Sequence, residues 1–208
     1  MSRIFITGIG TGVGKTIAAA IITEALHADY WKPVQTGSVE GTDSETVGSL
    51  ISNKTTKIHQ EAYCLRLPIS PHAAAKSENV DIRISNIPLP ETKNKLVIEG
   101  AGGLMVPLNN KELMIDLIKE TKAKVILVVS HYLGSINHTL LSVNLLKEKN
   151  IPFAGIIYSG IANTLTEEAI EAFTQVKVIG RIERENKITP AVISKYAEIF
   201  KPELKSIV

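Results

Sequence analysis

The sequence predicts an α/β fold: a single three-layer domain, residues 1–208, built on a mostly parallel sheet. Three observations predict it. Short aliphatic runs alternate with helix-period segments along the whole chain, the pattern of βαβ units whose right-handed crossovers place helices on both faces of a sheet. Aromatic residues make up only 5% against 44% hydrophobic overall, so the core is aliphatic, as in strands buried on both faces. The 208 residues suit one large domain, and no repeat or low-complexity linker divides them.

Taken in order, the strands are expected at Ile4–Thr7, Tyr30–Val34, Leu96–Glu99, Lys124–Val129, Phe153–Tyr158 and Lys177–Gly180. Each is a short run rich in β-branched or aliphatic residues. Helices are expected between them at Lys15–His27, Ser44–Ile51, Leu113–Lys122, Ser135–Lys149, Glu167–Phe173 and Pro190–Phe200. Pro68, Pro71, Pro88 and Pro90 make the stretch from about 60 to 95 irregular, an excursion from the one domain. In such sheets ligands gather at the carboxyl ends of the strands, so the residues just after each strand carry the functional expectation.

The charge balance excludes several function classes. A net charge of +2 from 23 basic and 21 acidic residues, with no dense basic block, gives nucleic acid nothing to hold by counterion release. Aliphatic runs such as Val125–Val129 are far too short to span a membrane, and the first residues lack the order of a secretory signal. The single Cys64 forms no intrachain disulfide and fits a reducing compartment. The expectation is a cytoplasmic protein acting on small molecules.

The first strand runs into Gly8-Ile9-Gly10-Thr11-Gly12-Val13-Gly14-Lys15-Thr16, and an aliphatic helix follows. A glycine-rich turn at a helix start lets backbone N–H groups converge on a phosphate, where the helix dipole adds favourable potential. Lys15 reaches β and γ oxygens, and the Thr16 hydroxyl suits Mg²⁺. Ile9 stands where the strict pattern has its first glycine, and Gly8 comes one residue early, so this is a lengthened phosphate loop. The chain is thus expected to have a P-loop NTPase fold. A guanine-reading Asn-Lys-x-Asp is missing; Asn110-Lys111-Glu112-Leu113 lacks the Asp.

Two more strand ends carry suitable chemistry. The second delivers Lys32-Pro33-Val34-Gln35-Thr36-Gly37, and the third ends in Glu99-Gly100-Ala101-Gly102-Gly103. A lysine beside a phosphate loop neutralises charge that develops in phosphoryl transfer, and a carboxylate there orients Mg²⁺. Read alone, Lys32 is an ordinary surface lysine and Glu99 a helix-dipole partner; the loop beside them changes the reading.

With these segments in hand, the sequence resembles the dethiobiotin synthetase family. The resemblance also rests on Ser70-Pro71-His72, on Val106-Pro107-Leu108 and on Leu133-Gly134-Ser135-Ile136-Asn137-His138, all in the family's order. It implies ATP-dependent carboxylation and ring closure of 7,8-diaminononanoate with CO₂ or bicarbonate, giving dethiobiotin, ADP and phosphate in biotin synthesis. It further implies catalytic roles for Lys15, Lys32 and Thr11. ATP contacts are implied for Gly12, Val13, Gly14, Lys15, Thr16, Ile17, Asp43, Glu99, Gly100, Ala101 and Gly102. Mg²⁺ would sit among Thr16, Asp43 and Glu99. Asp43 has a plainer reading, as N-cap of the helix near Ser44.

Thr36 would bond the carbamate end of the substrate. Gly134, Ser135, Ile136 and Asn137 begin a helix whose exposed N–H groups suit the substrate carboxylate; in the family this turn comes from the neighbouring subunit, so a homodimer with a shared site is implied. Plainer readings remain for the turn, and also for His72 and His138, which are expected in structural roles.

Two departures fall on the base pocket: Ser159 where the family has Asn, and Glu183 where it has Pro. They lead to the expectation of looser base recognition. The competing class is a partitioning or division-site switch ATPase. Those carry a signature Lys early in the loop, where this chain has Gly10, and many end in a membrane-binding helix. Here Pro202 is expected to interrupt the tail, and Tyr196 with Phe200 reads as helix docking.

Overall fold

The computed structural model describes residues 2–207; the expected domain limits, Met1 and Val208, lie outside them. The chain runs β1 (Arg3–Gly8), α1 (Lys15–Leu26), β2 (Asp29–Trp31), β3 (Val34–Gln35), α2 (Asp43–Leu50), β4 (Ile58–His59), β5 (Tyr63–Cys64) and α3 (Pro71–Ser77). It continues through β6 (Leu96–Glu99), α4 (Met114–Thr121), β7 (Lys124–Ser130), α5 (Ser135–Glu148), β8 (Phe153–Ser159), α6 (Thr164–Thr174), β9 (Val178–Ile182) and α7 (Pro190–Ile207).

Seven strands form one sheet in the order β4-β2-β6-β1-β7-β8-β9, and β3 pairs with β5 in a small second sheet. Every strand pair is parallel. From β1 the chain moves to one side of the sheet, and after β6 it crosses to the other, so the loop after β1 lies at the point where the winding reverses.

The period of two along each strand sorts the core into layers. Ile4, Ile6, Tyr30, Val97, Ile126 and Val128 face α1, α2 and α7. Phe5, Trp31, Ile98 and Val125 face α3 and α4, while Leu127, Val129, Ile156 and Tyr158 face α5 and α6. Gly180 lets α7 approach the sheet: a Cβ there would stand 2.4 Å from Phe200 Cε1.

Four expectations need correction. The strand expected over Tyr30–Val34 breaks after Trp31 and restarts at Val34 in the small sheet, because Pro33 has no N–H for a ladder. The irregular stretch contains α3, with Ser70 before it and Pro71 in its first turn, where a missing N–H costs nothing. The last helix does not stop at Pro202; it runs to Ile207 because Leu204 and Ile207 are buried. Its docking reading stands, with Tyr196 and Phe200 buried edge to face, ring centroids 6.1 Å apart. The sixth helix begins at Thr164, ahead of Glu167, because Asn163 caps it by accepting the Thr166 N–H. Among the described residues no helix is long and apolar enough to cross a membrane.

Candidate active site

A cavity of about 760 Å³ opens at the carboxyl ends of β1, β2 and β6. Its floor is the phosphate loop. Gly12 and Gly14 take positive φ, 73° and 94°, which turns successive N–H groups inward and makes Gly14 the N-cap of α1. Gly14 has no room for a side chain either: a Cβ would lie 2.5 Å from Ser159 Oγ. Val13 is buried and packs in the core beneath the loop.

Lys15 begins α1, and its Nζ donates to the Gly10 carbonyl at 2.8 Å. Burial pulls its pKa down to about 8, and the neighbouring Lys32 cation adds to that, against the pull of Glu99 and Asp43. The ammonium is therefore under-compensated, a state that an anionic ligand would relieve.

Lys32 is only 3% exposed. Its Nζ lies 2.5 Å from Asp43 Oδ2 and 3.1 Å from Glu99 Oε1, and it donates to the Gly100 carbonyl at 3.3 Å. Burial disfavours its charged form, but the two carboxylates outweigh burial and lift its pKa above the ordinary lysine value. The break after Trp31 is what turns Lys32 off the sheet and into this position.

Asp43 does not act as the N-cap. Thr42 holds that place in a reciprocal capping box with Glu45, which leaves the Asp43 side chain free to face the loop. Its backbone N–H donates to Gln35 Oε1 at 3.0 Å. Thr16 Oγ1 lies 3.0 Å from Asp43 Oδ1 and 2.9 Å from Glu99 Oε1, its one proton shared between the two carboxylates. A hydroxyl with a carboxylate oxygen about 3 Å away on each side offers hard oxygen donors of the kind Mg²⁺ prefers. The donor set fits that ion.

Of the other expected residues, Thr11, Ile17, Thr36, Ala101 and Gly102 also line the cavity. Gly100 lies just behind, its N–H donating to the Ile6 carbonyl. Gly134, Ser135, Ile136 and Asn137 start α5 after β7 and do not join this cavity within one chain. Leu133, Ile136 and Asn137 are exposed there, Leu133 completely. His138 accepts or donates at Nδ1 with the Tyr132 hydroxyl, 2.9 Å away. His72 leaves its buried Nδ1 without a protein partner.

Sequence reasoning missed Tyr30, whose hydroxyl donates to Glu99 Oε2 at 2.8 Å, and Gln35, which braces Asp43. Tyr30 read only as a strand residue, and no spacing rule marks it.

A family model described as "AAA domain" matches residues 2–192. The ATP-dependent dethiobiotin synthetase of Christiangramia forsetii is 54% identical over 203 residues, 98% of each chain. The chain belongs to the dethiobiotin synthetase family. The synthetase of Cytophaga hutchinsonii is 50% identical, over 95% of this chain and 96% of its own. Among solved structures, the septum site-determining protein MinD of Pyrococcus horikoshii, complexed with Mg-ADP, aligns with a TM-score of 0.61. It covers 99% of this chain and 95% of its own at 15% identity. A plasmid partition protein of Borrelia burgdorferi bound to AMPPNP gives 0.60 at 12%, over 99% and 97%. At such identity these two show that the chain shares their fold, and nothing more.

Proposed function

We propose that this chain, as one domain over residues 1–208, forms dethiobiotin from 7,8-diaminononanoate, CO₂ and ATP, and that it works as a cytoplasmic homodimer. The observation that carries the reading is Lys32, buried between Asp43 and Glu99 at the mouth of the phosphate loop.

ATP lays its phosphates on the inward N–H groups of residues 12–16, and Lys15 leaves Gly10 for the β and γ oxygens. Thr16, Asp43 and Glu99 would hold Mg²⁺, which when bound would offset phosphate charge as a Lewis acid. One substrate amine adds to CO₂ and loses a proton, giving a carbamate. Thr36 donates a hydrogen bond to the carbamate, and Thr11 does the same for the γ-phosphoryl oxygens. A carbamate oxygen attacks the γ-phosphorus and breaks its bond to the ADP oxygen. Lys32, held protonated by its carboxylates, stabilises the charge on the transferring group. The second amine then attacks the carbonyl carbon of the mixed anhydride. It loses a proton, expels phosphate and closes the cyclic urea.

The N–H groups of residues 134–137 and the Asn137 side chain take the substrate carboxylate from a second subunit. Leu133, Ile136 and Leu141 support that assembly, since they expose apolar surface around this polar turn and burial against another copy would remove it from water. ADP release from ATP, followed with and without 7,8-diaminononanoate and bicarbonate, tests the function: the diamine must accelerate it.

A further inference from the structure

Tyr30 is fully buried. In the parallel register it lies beside Val97, and Glu99, two residues further along β6, projects to the same face. Trp31 points to the other face, where its indole N–H donates to the Gln60 carbonyl at 3.0 Å. The two oxygens of Glu99 consequently divide their work. Oε1 accepts from Thr16 at 2.9 Å and faces Lys32 at 3.1 Å, on the cavity side. Oε2 accepts from the Tyr30 hydroxyl at 2.8 Å, on the core side. The carboxylate is 1% exposed, so water does not replace the phenol at no cost.

We propose that Tyr30 is the positioning residue for Glu99, fixing the carboxylate so that Oε1 is presented to the divalent cation beside Thr16 and Asp43. The inference rests on the Mg²⁺ reading of those three residues. A buried carboxylate with one unpaired oxygen would rotate toward another donor, and that rotation spoils Oε1 as a ligand. Partners that orient a metal-binding carboxylate in this manner typically sustain 10-fold or more of its metal affinity.

The test is a Mn²⁺ titration of the ADP complex, followed by electron paramagnetic resonance, for wild type, Tyr30→Phe, Glu99→Gln and the double variant. ADP affinity in EDTA is measured alongside. Tyr30→Phe should bind Mn²⁺ about 10-fold more weakly with metal-free ADP affinity unchanged, and it should add no loss on top of Glu99→Gln. Wild-type Mn²⁺ affinity in Tyr30→Phe, with Glu99→Gln impaired, overturns the positioning role alone. Unchanged affinity in Glu99→Gln overturns the metal reading and this inference with it. An equal fall in metal-free ADP affinity means a merely structural phenol and also overturns it. Should Tyr30→Phe not fold, a crystal structure of the wild type with Mn²⁺ and ADP decides: a phenol bonded to Glu99 Oε2 supports the role, and a phenol bonded elsewhere rejects it.

Discussion

Two carboxylates at the carboxyl edge of the sheet, the buried Glu99 and the half-buried Glu167, have nearly the same equipment and opposite consequences. Each accepts three donors. Glu99 takes Thr16, Lys32 and Tyr30. Glu167 takes His131 at 2.7 Å, the Asn163 backbone N–H at 2.9 Å, and Arg181. Arg181 also stacks over the Tyr158 ring, 5.3 Å from its centroid. Around Glu167 the hydrogen bonds outweigh burial and hold its carboxyl below the usual range, so that charge is locked to its partners. His131, Glu167 and Arg181 do not line the large cavity, whereas Glu99 and both lysines do. Beside Glu99 one cation is under-compensated, with Lys15 lowered to about 8. A buried charge cluster is therefore not by itself a site. What distinguishes the Glu99 cluster is an opening and a cation that still lacks its anion.

Lys32 separates the two clusters most sharply. Lys32→Gln should reduce turnover by about 100- to 1,000-fold, as for other donors aimed at developing charge, while nucleotide binding stays near wild type; initial rates and calorimetry read the two. Glu167→Ala should do the reverse. It leaves the half-buried Arg181 with only the more distant Glu183 as its anion and should cost about 2 kcal/mol of stability in a denaturant titration, with the catalytic rate of the folded enzyme preserved. A large fall in that rate would place the Glu167 cluster in the site after all.

Asn137→Ala should raise the KM for the diamine about 10-fold, the scale of one lost charge-assisted hydrogen bond, and leave the KM for ATP alone. Equal effects on both would reject the carboxylate turn. The smallest expected effect is in the base. The Ser159 hydroxyl sits against Gly14, and Glu183 is largely exposed with its N–H engaged by the Tyr196 hydroxyl. Neither presents a fixed reader of adenine, so CTP or GTP should support comparable turnover; strict ATP dependence would contradict this.

Much of this was legible in the sequence, and the limits are physical. The phosphate loop, Lys32 and Glu99 announce themselves because glycines, a lysine and a carboxylate at strand ends have few other uses in that order. The six longer strands were legible as aliphatic runs. β4 and β5 were not, since two residues carry no period. The break at Lys32-Pro33 was written in the proline but overridden by the apolar run around it. Pro202 misled in the opposite sense: burial of Leu204 and Ile207 outweighs one lost backbone hydrogen bond. Tyr30 was hidden most completely. A tyrosine in a strand is ordinary core until the register of β2 against β6 places its hydroxyl beneath Glu99.

The most direct test of the whole account is ADP release from ATP by the purified protein, with and without 7,8-diaminononanoate and bicarbonate. Slow release is expected alone, and strong acceleration when both are added. Release that the diamine leaves unchanged would contradict it and turn the reading toward a switch ATPase.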